Sequence, residues 1–278
     1  MLFAIIFMAL FQIFLYYPRK ALLTVPEDTT TVFLGNSTVE LAVNDSLIPH
    51  SYNFARSAET FELLYAKLVL LKRYNPGVDT VIISFDDAII TADEYLSHGS
   101  PKAVLTDAYS PKDWATDIDY YSVKNNKQFV STLYHFYNIL PAIRYNLNPG
   151  DGENYIGGFH PEHRRNLENE IAAYERGEEI VGIDNTVFPS ICRYYLDRIV
   201  DFCINKNITL IFLSVPKHKY FWNYDAYRDI HEKYYANIPL IDCMTMEFPD
   251  SCYVDVAHLN YIGADIFSAR LKEILNRN

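Results

Sequence analysis

Short, almost uniformly apolar runs that alternate with helical segments constrain the fold of this chain most. Four such runs predict strands, at residues 30–34 (TTVFL), 81–85 (VIISF), 208–215 (ITLIFLSV) and 238–242 (IPLID). Helical patterns lie between and after them, at residues 38–43, 61–74, 194–205 and 261–275. Strands lose their polar alternation only when both of their faces are buried. We therefore expect a three-layer α/β fold in which helices cover both faces of a parallel sheet.

The chain is long enough for one elaborated domain. Its 278 residues are 50% hydrophobic, which predicts a single sizeable core within residues 28–278. At about residues 88–185 the pattern gives way to a sequence rich in Tyr, Asn, Asp and Gly, which indicates an insertion. Loops at the carboxyl edge of such sheets commonly shape the substrate site, so the insertion is either a lid or substrate-selecting cap, or an inert surface excursion.

Residues 1–20 are predicted to be an export signal or a membrane anchor. Residues 2–17 (LFAIIFMALFQIFLYY) are almost all apolar, but the run is shorter than the about 20 residues of a full span. It lacks the basic start and the cleavage site of a removable signal peptide, which favours a retained anchor over one that is cleaved. The alternative is a buried core helix. We expect contact with the membrane through this segment and an extracytoplasmic, periplasmic location in the cell envelope, although Arg19 and Lys20 oppose that orientation.

Charge and cysteine content exclude several functional classes. The chain has 24 Lys and Arg against 35 Asp and Glu, a net charge of -11, which argues against a nucleic-acid partner. No Cys or His cluster has zinc spacing, and residues 160–163 (HPEH) are not the H-E-x-x-H of a zinc helix. We expect no metal and no cofactor. Two alternatives remain for the cysteines. Either Cys243 and Cys252 form a short-range disulfide, or all four cysteines are free, buried thiols.

Ser37 follows the first predicted strand in the sequence Gly35-Asn36-Ser37. In a parallel sheet the ligand crevice lies at the carboxyl ends of the strands, so a serine at this point is well placed for a nucleophile. The N–H groups of the following helix would face an oxyanion formed on an acylated Ser37. The alternative is structural, because Ser37 to Glu40 also reads S-x-x-E, a capping box in which Ser37 caps the helix.

Asp255 and His258 form a D-x-x-H motif before the last helix, for which Asn260 is the predicted N-cap. A carboxylate can orient such a histidine through Nδ1 while Nε2 faces a serine hydroxyl and removes its proton. Taken alone, D-x-x-H also fits a solvated turn. His218, which follows the strand at residues 208–215, is the second candidate for the general base.

In combination, these two motifs resemble those of the SGNH hydrolase superfamily, the GDSL-like esterases. In that family the nucleophile lies in a G-D-S or G-N-S turn after the first strand, and D-x-x-H precedes the last helix. Residues 255–264 (DVAHLNYIGA) are similar to the D-x-x-H-L-N-x-x-G-A form of its exported, polysaccharide-modifying branches. The resemblance covers about residues 32–271 and implies a flavodoxin-like fold. It also implies Ser37, Asp255 and His258 as a catalytic triad.

The oxyanion-hole blocks of the family depart from its pattern here. The second block supplies a glycine N–H, but residues 53–57 (NFARS) contain no glycine, so the resemblance points to the backbone of Ala55 or Arg56. The third block, G-x-N-D, falls on residues 84–87 (SFDD), so that Asp86 stands where the asparagine is expected and Asp87 matches the aspartate that follows it. Asn53 is the candidate replacement for that asparagine, because a carboxylate would repel an oxyanion.

The predicted function is ester chemistry on a cell-surface carbohydrate. We expect a serine-dependent O-acyl (acetyl) esterase or O-acyltransferase that works through an acyl-serine, with a carbohydrate or acyl ester as its substrate. The alternative is a catalytically inactive SGNH-like protein that binds glycans or takes part in envelope assembly.

Overall fold

The computed structural model describes residues 20, 23–90, 112, 157–177, 188–221 and 226–277. Within these ranges five parallel strands form one sheet in the order β2-β1-β3-β4-β5. The strands are β1 (Thr31–Leu34), β2 (Ser51–Asn53), β3 (Thr80–Ser84), β4 (Thr209–Ser214) and β5 (Leu240–Asp242). This is the flavodoxin-like order of a doubly wound sheet, so the predicted α/β fold class is confirmed.

Helices cover both faces of the sheet. The described helices are α1 (Ser37–Ala42), α2 (Phe61–Tyr74), α3 (Asp87–Ile90), α4 (Leu167–Glu175), α5 (Ser190–Lys206), α6 (Ala226–Tyr234) and α7 (Tyr261–Leu275). Helices α2 and α5 contact each other on one side, and α1 and α7 contact each other on the other. Two short 3₁₀ turns, Asp45–Leu47 and Asp250–Cys252, complete the described elements.

Alternate side chains of the central strands feed two separate cores. Val32 and Ile83 belong to the core that contains α2 and α5, whereas Phe33 and Ile82 belong to the core with α1 and α7. All four of these side chains are fully buried. Burial on both faces explains why the strands read as continuous apolar runs, since neither face meets water.

The predicted membrane anchor is not supported, and the cell-envelope location that depended on it is withdrawn. Residues 2–17 lie outside the described residues, and among the residues that are described no helix is long and apolar enough to cross a membrane. A span needs about 20 predominantly apolar residues. The longest described helix, α5, has 17 residues and carries charges such as Arg193, Asp197 and Asp201.

The predicted insertion is described only in part. Of residues 88–185, the structure describes 88–90, 112 and 157–177, so most of the predicted lid or cap lies outside the described residues. The described stretch from residue 157 to residue 177 contains α4, and its first residues lie against the end of β2. The N–H of Gly158 donates to the carbonyl of Asn53 at 2.5 Å, at the end of β2.

All four cysteines are free and buried, so Cys243 and Cys252 do not form the disulfide that the sequence left open. Burial raises the pKa of Cys203 to about 12 and that of Cys243 to about 11.

Because the thiolate is the reactive form, we expect a thiol reagent such as Ellman's reagent to modify none of the four cysteines rapidly in the native protein. All four should react in denaturant without reductant. Fewer than four reactive thiols after unfolding would contradict this assignment.

Candidate active site

Ser37 is the first residue of α1, directly after the turn that leaves β1. The turn is tight because Gly35 lies against β3, where an added Cβ would come within 2.7 Å of the Cβ of Ser84. The strand order reverses between β1 and β3, and ligands of doubly wound sheets bind at this point, outside the carboxyl ends of the strands. The fold therefore places Ser37 at the ligand-binding edge of the sheet.

The helix cap of α1 is supplied by Asn36 and not by Ser37. Oδ1 of Asn36 accepts a hydrogen bond from the N–H of Thr38 at 3.1 Å. The carboxylate of Glu40, which a capping box would turn toward the start of the helix, instead accepts from the N–H and the hydroxyl of Ser57 at 2.6 and 2.5 Å. The capping-box alternative is therefore wrong, and the Ser37 hydroxyl has a different partner.

Ser37, His258 and Asp255 form one hydrogen-bonded line. Oγ of Ser37 lies 2.8 Å from Nε2 of His258. Nδ1 of His258 lies 2.8 and 3.1 Å from the two carboxylate oxygens of Asp255. In this arrangement an imidazole can take a proton from an alcohol while a carboxylate holds the ring in the required tautomer. The side chains of His258 and Asp255 are 22% and 23% exposed, so the line is open to solvent.

The electrostatic environment keeps Asp255 ionised. Burial raises the pKa of this carboxyl group, but the hydrogen bond and charge of His258 and the N–H groups of Ala257 and His258 outweigh burial. The pKa therefore lies below its ordinary value of 3.8. An ionised Asp255 can stabilise the imidazolium that forms when His258 accepts a proton.

The loop that carries Asp255 and His258 is closed on itself and tied to α7. The N–H of Val254 donates to the carbonyl of His258 at 2.9 Å. Asn260 caps α7 through Oδ1, as predicted, while its Nδ2 donates to the carbonyl of Tyr253 at 3.2 Å. One asparagine side chain thus fixes the start of the last helix to the loop that precedes it. We call residues 253–259 the acid–base loop.

Gly263 allows α7 to approach the 3₁₀ turn before the acid–base loop. A Cβ on Gly263 would lie 2.3 Å from the backbone carbonyl oxygen of Cys252. We expect Gly263→Ala to lower the free energy of unfolding by about 1–3 kcal/mol, because overpacking outweighs the helix propensity that alanine gains. Urea unfolding measures this change. Gly77→Ala is the control, since nothing lies within 4 Å of a Cβ at that position. A Gly263→Ala protein as stable as the wild type would contradict the close approach.

The described part of the predicted insertion contacts the acid–base loop on both sides of Asp255. The N–H of Val256 donates to Oε2 of Glu170 in α4 at 2.9 Å. The N–H of Asn166, just before α4, donates to the carbonyl of Val254 at 2.6 Å. This segment therefore supports the backbone that presents Asp255. A role for the insertion in covering or selecting substrate stays a prediction.

The predicted oxyanion donors at Asn53, Ala55 and Arg56 all have other hydrogen-bond partners in the structure. Nδ2 of the fully buried Asn53 donates to the carbonyl of Val43 at 2.8 Å and to others at the end of α1, and its Oδ1 accepts from the N–H of Ala55 at 2.9 Å. The N–H of Arg56 donates to the carbonyl of Gly35 at 2.9 Å. These groups hold the loop after β2 against α1 and against the turn at residues 35–38, which we call the nucleophile turn.

Asp86 and Asp87 follow β3 and are both buried. Oδ1 of Asp86 accepts from the N–H of Ile89 at 3.2 Å, and its Oδ2 lies 3.1 Å from Oγ1 of Thr38, the residue after Ser37. Oδ1 of Asp87 accepts from the N–H of Tyr227 at 3.1 Å. Asp86 is therefore adjacent to the nucleophile turn, whereas Asp87 connects α3 to α6.

His218, the second candidate for the general base, has another partner. Its Nε2 lies 3.3 Å from Oδ1 of Asp250, and its side chain is almost completely buried. His258 is the histidine at Ser37. Within the part of the chain that the structure describes, no group of three or more His, Cys, Asp or Glu side chains is arranged to hold a metal ion.

Lys217 is the residue near this site that the sequence interpretation missed. Its Nζ donates to the carbonyl of Ala257 in the acid–base loop at 3.1 Å and lies 3.5 Å from Oδ2 of Asp86. A single lysine does not form a recognisable sequence motif. The one feature of the sequence that could have indicated Lys217 is its position three residues after β4, at the same edge of the sheet as Ser37.

Comparison with known proteins does not identify an activity. No protein-family model and no curated protein matches the sequence. Among solved structures, a GDSL-like lipase from Bacteroides thetaiotaomicron VPI-5482 is similar over 95% of this chain and 98% of the lipase, with 14% sequence identity and a TM-score of 0.39. A likeness of this size supports no functional conclusion, so the assignment of function depends on the geometry of Ser37, His258 and Asp255.

Proposed function

We propose that this chain is an SGNH-type serine enzyme, an O-acyl esterase or O-acyltransferase that acts on acetylated carbohydrate. The observation that carries the proposal is the 2.8 Å contact between Ser37 Oγ and His258 Nε2, with His258 Nδ1 in turn 2.8 Å from Asp255. The sequence supports it independently. The G-N-S and D-x-x-H motifs occupy the positions that SGNH hydrolases use for their nucleophile, acid and base.

Acylation begins with attack of Ser37 Oγ on the carbonyl carbon of the ester. The hydroxyl proton passes to Nε2 of His258, and the carbonyl oxygen becomes an oxyanion. When the oxyanion collapses, the bond to the leaving alcohol breaks, and His258 returns the proton to the alcohol oxygen. Asp255 remains ionised and keeps the proton of Nδ1 in place throughout.

Deacylation decides between hydrolysis and transfer. The acceptor oxygen attacks the acyl-serine carbonyl while His258 takes its proton, and the proton then returns to Ser37 Oγ as the acyl–serine bond breaks. Water as acceptor gives free acetate, whereas a sugar hydroxyl gives a new sugar ester. Both outcomes use the same three residues, so hydrolysis and transfer can be measured with the same purified protein.

Oxyanion stabilisation is expected to be weaker than in a site with three donors. The Ser37 N–H, as the first of α1, has no acceptor within its own helix, so we assign it to the oxyanion. The groups of Asn53, Ala55 and Arg56 are bound elsewhere in the described structure. Loss of one donor typically costs about 10²- to 10³-fold in rate, so we propose a slow enzyme.

A pair of aromatic rings, one exposed and one half-buried, supports a carbohydrate substrate. Tyr174 in α4 is 40% exposed, and its ring centroid lies 5.1 Å from that of Tyr220, in the loop after β4. Flat aromatic faces with a polar hydroxyl suit the alternating apolar and polar surface of a sugar. The similarity of residues 255–264 to the polysaccharide-modifying form of the family motif favours the same substrate class.

A catalytically silent carbohydrate-binding protein is the second candidate. The observations that favour it are the engagement of the predicted oxyanion donors and the carboxylate of Asp86 near the nucleophile turn. The two candidates agree on the ligand but differ on turnover. A protein of the second kind would bind an acetylated sugar and leave its ester intact.

Release of acetate separates these candidates. Purified protein is incubated with an aryl acetate and with O-acetylated oligosaccharides, with and without an added acceptor sugar, and acetate and acetylated acceptor are quantified. We expect acetate from both donor classes and faster turnover of the acetylated sugar, with Ser37→Ala as the blank. Binding of the acetylated sugar without any product above that blank would favour the silent protein.

A further inference from the structure

A buried lysine lies between the two segments that supply the triad. Lys217 follows β4, and its side chain is 3% exposed. Its ammonium group donates to the carbonyl of Ala257, the residue before His258, at 3.1 Å. It also lies 5.1 Å from the centre of the Phe221 ring, which covers it on another side. Lys217 is thus bound directly to the acid–base loop.

Asp86 continues this connection to the nucleophile turn. Its Oδ2 lies 3.5 Å from Nζ of Lys217 and 3.1 Å from Oγ1 of Thr38. Thr38 Oγ1 is in turn 2.7 Å from Oδ1 of Asn36, so its single hydrogen is shared between two acceptors. Asn36 and Thr38 are the two neighbours of Ser37. An unbroken series of polar contacts therefore runs from the acid–base loop to both sides of the nucleophile.

Stability alone does not explain this ion pair. Removing two charges from water is costly. A protein with well-packed apolar residues in place of a buried ion pair is often as stable as the original protein, or more stable. Burial lowers the pKa of Lys217, while the carboxylates of Asp86, Asp255 and Asp87 act in the opposite direction. The ammonium of Lys217 therefore interacts with the triad carboxylate as well as with Asp86. A buried pair in this place fits a role in fixing the relative position of two loops.

We propose that Lys217 and Asp86 are a positioning pair that holds the acid–base loop and the nucleophile turn at the separation required for proton transfer from Ser37 to His258. This proposal rests on the proposed acyl-serine chemistry. The ammonium also neutralises the Asp86 carboxylate, which would otherwise place an unpaired negative charge beside the turn on which the oxyanion forms.

The kinetic test uses Lys217→Met, Asp86→Asn and the double variant. We expect Lys217→Met to lower kcat on the order of 10²-fold with KM unchanged, because a misplaced general base slows the chemical step and not substrate binding. Asp86→Asn, which retains the shape of the side chain, changes kcat in the same direction. Since the two residues act as one unit, the double variant should lose no more than the worse single variant.

Lys67→Met is the matched control for loss of stability. Lys67 in α2 is also completely buried, and its Nζ lies 2.7 Å from the buried carboxylate of Glu59. Its Nζ also donates to the carbonyl of Phe54 at 2.6 Å, so this pair joins α2 to the loop after β2, whereas Lys217 joins the two segments that carry the triad. We expect Lys67→Met to lower the melting temperature as Lys217→Met does, but to leave kcat per folded molecule unchanged. A kinetic effect that follows melting temperature across all these variants would overturn the proposal.

A spectroscopic readout tests positioning without any substrate. The Nδ1 proton of a histidine held by a carboxylate gives a far-downfield proton NMR signal, which Asp255→Asn assigns by removing it. We expect this signal in the wild type and in Lys67→Met, and its loss or exchange broadening in Lys217→Met. An unchanged signal and unchanged kcat in folded Lys217→Met overturn the positioning role. If no ester is turned over by the wild type, the proposed function fails, and the NMR comparison alone decides the role of the pair.

Discussion

Replacement of Ser37 by alanine is expected to lower the turnover of acetyl esters on the order of 10⁶-fold. Alanine lacks the hydroxyl that lies 2.8 Å from Nε2 of His258, so no acyl-enzyme can form and only slow attack by water remains. The measurement is the steady-state rate of acetate release, with circular dichroism and a thermal melt to establish folding. The remaining rate should show no burst of the leaving group.

Ser46→Ala is the matched control for this substitution. Ser46 lies in the 3₁₀ turn between α1 and β2, where it is exposed and its hydroxyl donates to Oδ1 of Asn44 at 2.7 Å. Its loss should leave turnover at the wild-type level. Substantial activity in Ser37→Ala would show that another nucleophile or an activated water carries the reaction, and the acyl-serine account would then fail.

Asp255→Asn is expected to lower kcat by about 10⁴-fold while the fold is retained. The asparagine amide is nearly the same size as the carboxylate but offers an N–H where His258 Nδ1 needs an acceptor, at a present distance of 2.8 Å. The imidazole would then favour the tautomer with its proton on Nε2, which cannot take a proton from Ser37. KM should change little, because ground-state binding does not require proton transfer.

The control for Asp255→Asn is the same substitution at another aspartate that faces a histidine. Asp250 lies 3.3 Å from Nε2 of His218, and its side chain is 68% exposed. Asp250→Asn should retain full turnover. Equal losses in the two variants would indicate that both act through general destabilisation, and would argue against a specific role for Asp255 in orienting His258.

The fold was predictable from the sequence wherever apolar side chains dictate it. The predicted bounds of α2 and α7 agree with Phe61–Tyr74 and Tyr261–Leu275. Each is a long segment rich in apolar residues with a clear boundary signal, Pro76-Gly77 after α2 and the capping Asn260 before α7. Strand β2, Ser51–Asn53, was missed. Three residues with the sequence SYN carry no apolar run, and they become a strand only through pairing with β1.

The site was predictable only as far as local motifs reach. Ser37 and His258 are 221 positions apart, and the structure brings them into contact. Their motifs predicted this contact because both follow predicted strands whose carboxyl ends lie at one edge of the sheet. The oxyanion donors were not predictable, since the use of an N–H depends on tertiary contacts such as that between Ala55 and Asn53. Lys217 was missed for the same reason, because its role depends on contacts with Asp86 and Ala257.

The most direct test of the central claim is the location of a covalent adduct formed by a serine-reactive phosphonate. The protein is treated with the reagent, and its intact mass and the masses of its proteolytic peptides are measured. The account predicts one phosphonyl group, on Ser37, and slow or absent modification in His258→Ala. An adduct on a different residue, or no adduct in folded wild-type protein, would contradict the claim that His258 activates Ser37 as a nucleophile.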